Sequence, residues 1–123
     1  MPLTIIILRW ILRISFLISF ALGCALWAGR GYAYLQFHMW LGFIITFTLL
    51  AIAILSLIAR VKPALPVIAL LWAVALPVLG IAQLRLMPGP NHWIMRVLHL
   101  ILGLGAIGFG ESLSKKVRLR STA

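Results

Sequence analysis

Four long apolar runs, separated by short clusters of glycine, proline and cations, divide this chain. The breaks fall at Gly29-Arg30-Gly31, Arg60-Val61-Lys62-Pro63, Leu86-Met87-Pro88-Gly89-Pro90 and Ser114-Lys115-Lys116. A helix that crosses the hydrocarbon of a bilayer needs about 20 mostly apolar residues, so four crossings with short connections use roughly 110 to 125. The chain has 123. The expected fold class is therefore an all-α integral membrane protein in which four transmembrane helices, at about 6–28, 33–59, 64–85 and 91–113, form an up-down bundle. A single domain over 1–123 is expected, with no extramembrane domain.

Composition closes the soluble alternatives. Apolar residues make up 64% of the chain and charged ones 10%, where a soluble domain carries about a quarter charged residues. Eleven Lys and Arg against one acid give a net charge of +10. In a polar chain that excess would suit nucleic acid, but basic arms lack a large apolar fraction, so the charge is read against a lipid surface and no nucleic-acid partner is expected. Eight cations (Arg9, Arg13, Arg60, Lys62, Lys115, Lys116, Arg118, Arg120) fall on one side of the four spans and three (Arg30, Arg85, Arg96) on the other. Short cytoplasmic segments are enriched in Lys and Arg, which predicts cytoplasmic termini and a multi-pass protein of the bacterial inner membrane. Arg9 and Arg13, one helical turn apart, are expected to snorkel toward headgroups.

The basic start of the first helix and the segment Ala21-Leu22-Gly23-Cys24 imitate a signal peptide or a lipoprotein cleavage site. The apolar stretch is too long for either, and the segment is expected to remain. Cys24 is the single cysteine. It excludes an internal disulfide and a cysteine-based zinc site, and is expected to be a small packing residue.

Polar side chains inside spanning helices are costly and mark functional sites. The candidates are Gln36, His38, Gln83, Arg85, His92, Arg96, His99 and Glu111, all but Glu111 in the outer half. With a rise of about 1.5 Å per residue, His38 lies roughly 8 to 10 Å below the outer end of the second helix, and His99 roughly 12 Å below the start of the fourth. The second and fourth helices of an up-down bundle are diagonal partners, so the two histidines share a level across the core.

Both stand in the same local pattern, His38-Met39-Trp40-Leu41-Gly42 and His99-Leu100-Ile101-Leu102-Gly103. The residue at i+4 lies on the same helix face, so each histidine looks onto a glycine, Gly42 or Gly103, whose missing side chain leaves room for the edge of a flat macrocycle. Arg96 is one turn above His99 and His92 a further turn above, while Arg30 and Arg85 end neighbouring helices on that side. Arginine recognises carboxylates in a two-pronged geometry, so Arg96 above all, with Arg85, Arg30 and His92 around it, suits the propionates of a haem.

Two histidines on the second and fourth helices of a small four-helix membrane bundle resemble the bis-histidine haem b sites of the cytochrome b561 and superoxide or quinol oxidoreductase type. They are also similar to one half of the haem-A-synthase fold. The resemblance implies a b-type haem with His38 and His99 as axial iron ligands, and single-electron transfer with a quinol or small oxidant at the outer face, making a haem-dependent membrane oxidoreductase. Those families commonly carry further histidines for a second haem on the cytoplasmic side, and this chain has none there, so transmembrane electron transfer is not implied.

Other readings compete. His38 could belong to an interfacial aromatic belt with Tyr32, Tyr34, Phe37 and Trp40, and His99 could be a core histidine bonded to a neighbouring helix. His38, Met39, Met87, His92, Met95 and His99 form a copper-suited set of imidazoles and thioethers, although His92 and His99 are separated by about 10 Å along the axis and cannot share one ion. Zinc hydrolysis and Ser/His/Asp catalysis fail for want of a carboxylate near any histidine. A small structural subunit packed against other membrane subunits is the remaining class. Glu111 is expected to pair with Lys115, the tryptophans to sit near interfaces, Gly103, Gly105, Gly108 and Gly110 to permit close helix contact, and Pro77 to bend the third helix.

Overall fold

The computed structural model describes residues 2–121, and these are helical almost throughout, with no strand among them. Helix α1 spans Pro2–Trp27, α2 Leu35–Ile58, α3 Ala64–Ala82 and α4 Trp93–Ser121, with single 3-10 turns at Tyr32–Tyr34 and Pro90–His92 leading into α2 and α4. All four are long and apolar enough to cross a membrane. In such a chain every backbone N–H must be satisfied within its own segment, which only a helix achieves for a single pass.

The connections turn on residues of positive φ. Gly29 and Gly31 stand at φ 76° and 78°, and the Arg30 amide bonds back to the Ala25 carbonyl at 2.8 Å, closing the end of α1. Arg60 adopts φ 59° although it is not glycine, and the Val61 amide then reaches the Ser56 carbonyl at 2.9 Å. Sequential helices pack as neighbours, α1 also meets α4, and α2 and α4 touch across the diagonal.

The helix ends differ from those expected. Helix α4 continues to Ser121 instead of stopping near 113. Lys115, Lys116, Arg118 and Arg120 end the apolar stretch without ending the helix, because Lys and Arg are good helix formers and their charge complements the negative end of the helix dipole. Helix α1 likewise begins at Pro2, where a proline's missing N–H is tolerated, and α3 stops at Ala82.

Packing is uneven along the bundle. The buried residues of α1 are Ile5, Leu12, Ser15 and Ser19; those of α2 begin only at Ile45; those of α3 end at Leu76; and in α4 only Met95 precedes Ala106. The half that carries the chain termini is therefore solid and the other half hollow. In the solid half, a Cβ built on Gly110 would run into the Leu12 side chain, so α1 and α4 meet there side chain to backbone. Gly105 is covered by the Trp72 indole, whose Nε1 donates to the Leu102 carbonyl at 2.7 Å and whose ring lies edge-on to Phe109. Trp72 is thus a mid-bundle clamp between α3 and α4, not an interfacial residue.

Glu111 does not turn to Lys115, and Arg9 and Arg13 do not reach outward. Arg13 donates from Nε to Glu111 Oε1 at 2.5 Å and from Nη2 to Oε2 at 3.0 Å, while Arg9 Nε donates to Oε2 at 2.7 Å. A carboxylate on the facing helix offers a two-pronged, partly buried partner, which outcompetes an exposed ammonium one turn away. Arg13 also lies over the Trp10 ring at 4.9 Å.

Candidate functional site

The hollow half encloses a cavity of about 340 Å³ open at one side. That lies within the range of roughly 300–1,000 Å³ of small-molecule sites. Its walls are largely apolar, with Phe16, Phe20 and Trp27 among them, and the polar groups on them include Ser19, Tyr32, His38, Gln83, His92, Arg96 and His99.

The two histidines meet in this cavity. Their ring centres are 6.1 Å apart and the rings are crossed at 71°. His38 comes from the second turn of α2 and His99 from the second turn of α4, so the diagonal contact of those helices brings them level. His38 Nδ1 lies 2.9 Å from the Ser19 carbonyl and 3.1 Å from Ser19 Oγ. With the proton on Nδ1, that nitrogen donates to the carbonyl and Nε2 is the free acceptor. His99 Nδ1 is buried without a partner.

Two sets of glycines shape the site, those of the local pattern and those that the histidine rings meet on neighbouring helices. A Cβ on Gly42 would meet nothing within 4 Å, and one on Gly103 only the Phe16 ring at 3.9 Å. Both line the cavity and leave open space in it. The histidines themselves rest on glycines of neighbouring helices: a Cβ on Gly80 of α3 would lie 3.0 Å from His99 Cε1, and one on Gly23 of α1 3.3 Å from His38 Cε1. The i+4 rule describes a helix surface, whereas these rings project into the gap between helices and meet what lies opposite. A signal for the α1 partners is present in the sequence, since Ser15, Ser19 and Gly23 repeat every four residues as a stripe of small side chains on one face.

Of the other candidates, His92 and Arg96 line the cavity, as does Gln83, while Arg30, Arg85 and Gln36 are not among its walls. His92 Nδ1 faces the Leu86 carbonyl at 3.3 Å, across the base of the connection between α3 and α4. Cys24 is exposed and lies in the cavity wall, so it is not the packed residue expected. Pro77 also lines the cavity, and α3 runs through it as a helix. Among the described residues no group of three or more His, Cys, Asp or Glu could hold a metal ion. A free copper or zinc ion at this place would have two imidazoles and no third ligand of those types.

No known family model, curated protein or solved structure matches this chain.

Proposed function

We propose that His38 and His99 are the axial ligands of one b-type haem, and that the protein carries out single-electron transfer with a quinol or small oxidant at the outer face of a membrane. The observation that carries this reading is the pair of rings 6.1 Å apart across an apolar cavity. With metal–imidazole distances of about 2 Å, two imidazoles on opposite sides of one metal have ring centres roughly 6 Å apart. The residues present therefore fit the group. The Ser19 carbonyl orients His38 as second partners of metal-bound histidines do, and leaves the other ring nitrogen for ligation. A macrocycle would bring further ligands of its own to the metal, which a site of two imidazoles needs and a free ion would lack.

When bound, a haem of this kind supplies reversible one-electron chemistry at its iron. The chain's own contributions are distinct. His38 and His99 hold position from opposite helices, Phe16, Phe20 and Trp27 exclude water, and Arg96 with His92 stands at the cavity wall as the partner for carboxylates. The surplus of cations at the other end of the bundle supports cytoplasmic termini and a histidine site toward the outside, in a multi-pass protein of the bacterial inner membrane.

Absorption spectra of the purified chain, oxidised and then dithionite-reduced, test the reading. A sharp reduced α-band with a Soret shift is expected, and His38→Ala and His99→Ala should each convert a low-spin spectrum to high-spin or abolish retention. A chain purified from haem-replete cells without any Soret absorption would overturn it.

A further inference from the structure

At the end of the bundle remote from the histidines, a second opening of about 510 Å³ lies between the start of α3 and the last turns of α4. Lys62, Lys116 and Arg120 line it, together with the apolar Val61, Leu65 and Leu119. Lys116 and Arg120 are one turn apart on α4, and Lys62 reaches in from the facing connection. None of these three cations has an ion-pair partner among the described residues. The chain's single acid, Glu111, is already held by Arg9 and Arg13. The first turn of α3 opens onto the same groove, and its amides have no side-chain cap. Three cations lining one groove, with no neutralising carboxylate among the described residues, form a site for an anion, and the apolar wall beside them gives the anion a hydrocarbon companion.

We infer that this groove binds an anionic phospholipid headgroup, and that a lipid with two phosphates, of the cardiolipin class, fits it best. A zwitterionic lipid brings an ammonium group into a field that repels it. One phosphate would leave two of the three cations without a counter-charge. Soluble phosphate would satisfy the charges but not the apolar wall of Val61, Leu65 and Leu119, and with the four apolar helices crossing a bilayer the groove at their ends would lie at the headgroup level. This inference is independent of the haem reading, because no residue is shared between the two openings.

Native mass spectrometry of the full chain in detergent, with equal additions of cardiolipin, phosphatidylglycerol, phosphatidylcholine or inorganic phosphate, provides the test. Each cation near a membrane surface contributes roughly fivefold in affinity. Cardiolipin adducts should survive at activation energies that strip phosphatidylcholine, with phosphatidylglycerol between them and phosphate bound no better than phosphatidylcholine. The combined variant Lys62→Gln, Lys116→Gln, Arg120→Gln should reduce cardiolipin binding at least tenfold, and Lys115→Gln, a cation outside the groove, should leave it unchanged. Equal retention of cardiolipin and phosphatidylcholine by the unaltered chain would overturn the inference before any variant is made. So would phosphate adducts as persistent as those of cardiolipin, or an equal loss from Lys115→Gln and the combined variant.

Discussion

Around Leu12 and Gly110 helices α1 and α4 touch so closely that a single Cβ has no room, whereas around Gly42 and Gly103 the diagonal helices α2 and α4 and their neighbours stand apart over a cavity of about 340 Å³. Both regions use glycine on the bundle interior, to opposite ends. In the solid half the missing side chain lets another side chain in; in the hollow half it leaves space that no other protein atom fills. Interiors are normally packed to crystal-like density, so the solid half is what sustains the fold and the open half is a place where the chain accepts looser packing around a site.

The sharpest way to break this contrast is to hollow the solid half. Leu12→Ala, at a fully buried position, should cost about 2–5 kcal/mol in reversible unfolding followed by circular dichroism. Phe20→Ala, on the cavity wall, should cost well under half of that, because its space is already open on one side. Comparable losses would remove the distinction between the halves. Next in size is the carboxylate that joins α1 to α4. Glu111→Gln leaves Arg9 and Arg13 without a counter-charge at side chains that are 22% and 32% exposed, and a loss smaller than that of Leu12→Ala is expected in the same measurement, because solvent screens part of the unpaired charge. The double change Arg9→Leu, Arg13→Leu in that background should restore part of it, since no unpaired charge then remains.

Trp72→Phe keeps the ring against Gly105 and Phe109 but deletes the bond to the Leu102 carbonyl. A cost of about 0.5–1.5 kcal/mol is expected, with no change in any property of the histidine cavity. The smallest stability effects belong to Gly80→Ala and Gly23→Ala, because the roughly 0.5–1 kcal/mol that alanine gains over glycine inside a helix offsets the crowding of the added methyl. Their interest is positional: the added methyl on residue 80 presses on His99 at 3.0 Å and that on residue 23 on His38 at 3.3 Å. Ring nitrogen shifts by NMR should therefore move more for His99 in Gly80→Ala than for His38 in Gly23→Ala, and a reversed order would mean that α3 yields more easily than α1.

The four helices were legible because the apolar runs and their glycine, proline and cation breaks are strong, local signals. That His38 and His99 share a level was also legible, since depth follows from helical rise once the connections are placed. What could not be read was whatever depends on rotation of one helix against another. Gly80 and Gly23 lie in other runs from the histidines they touch, Trp72 sits among leucines that give no hint of the carbonyl it reaches, and Glu111 has a cation one turn away that looks like its natural partner. In each case a contact across helices won over one within a helix, and single-sequence periodicity carries no such information. The end of α4 lies beyond the expected one for a different reason: a change from apolar to cationic residues marks where a bilayer could stop, and helical hydrogen bonding continues regardless.

That continuation has a mechanical consequence. Helix α4 contains 29 residues, a rod of about 43 Å at 1.5 Å per residue against a hydrocarbon thickness of about 30 Å. In a bilayer, two further turns or more would stand clear of the hydrocarbon or be accommodated by tilt. A helical reporter fused in phase after its last turn would be held as a lever, swinging by about 100° about the rod axis for each residue inserted at the junction. Its orientation relative to the membrane plane would then read out, from outside the bilayer, any rotation of the helix that carries His99.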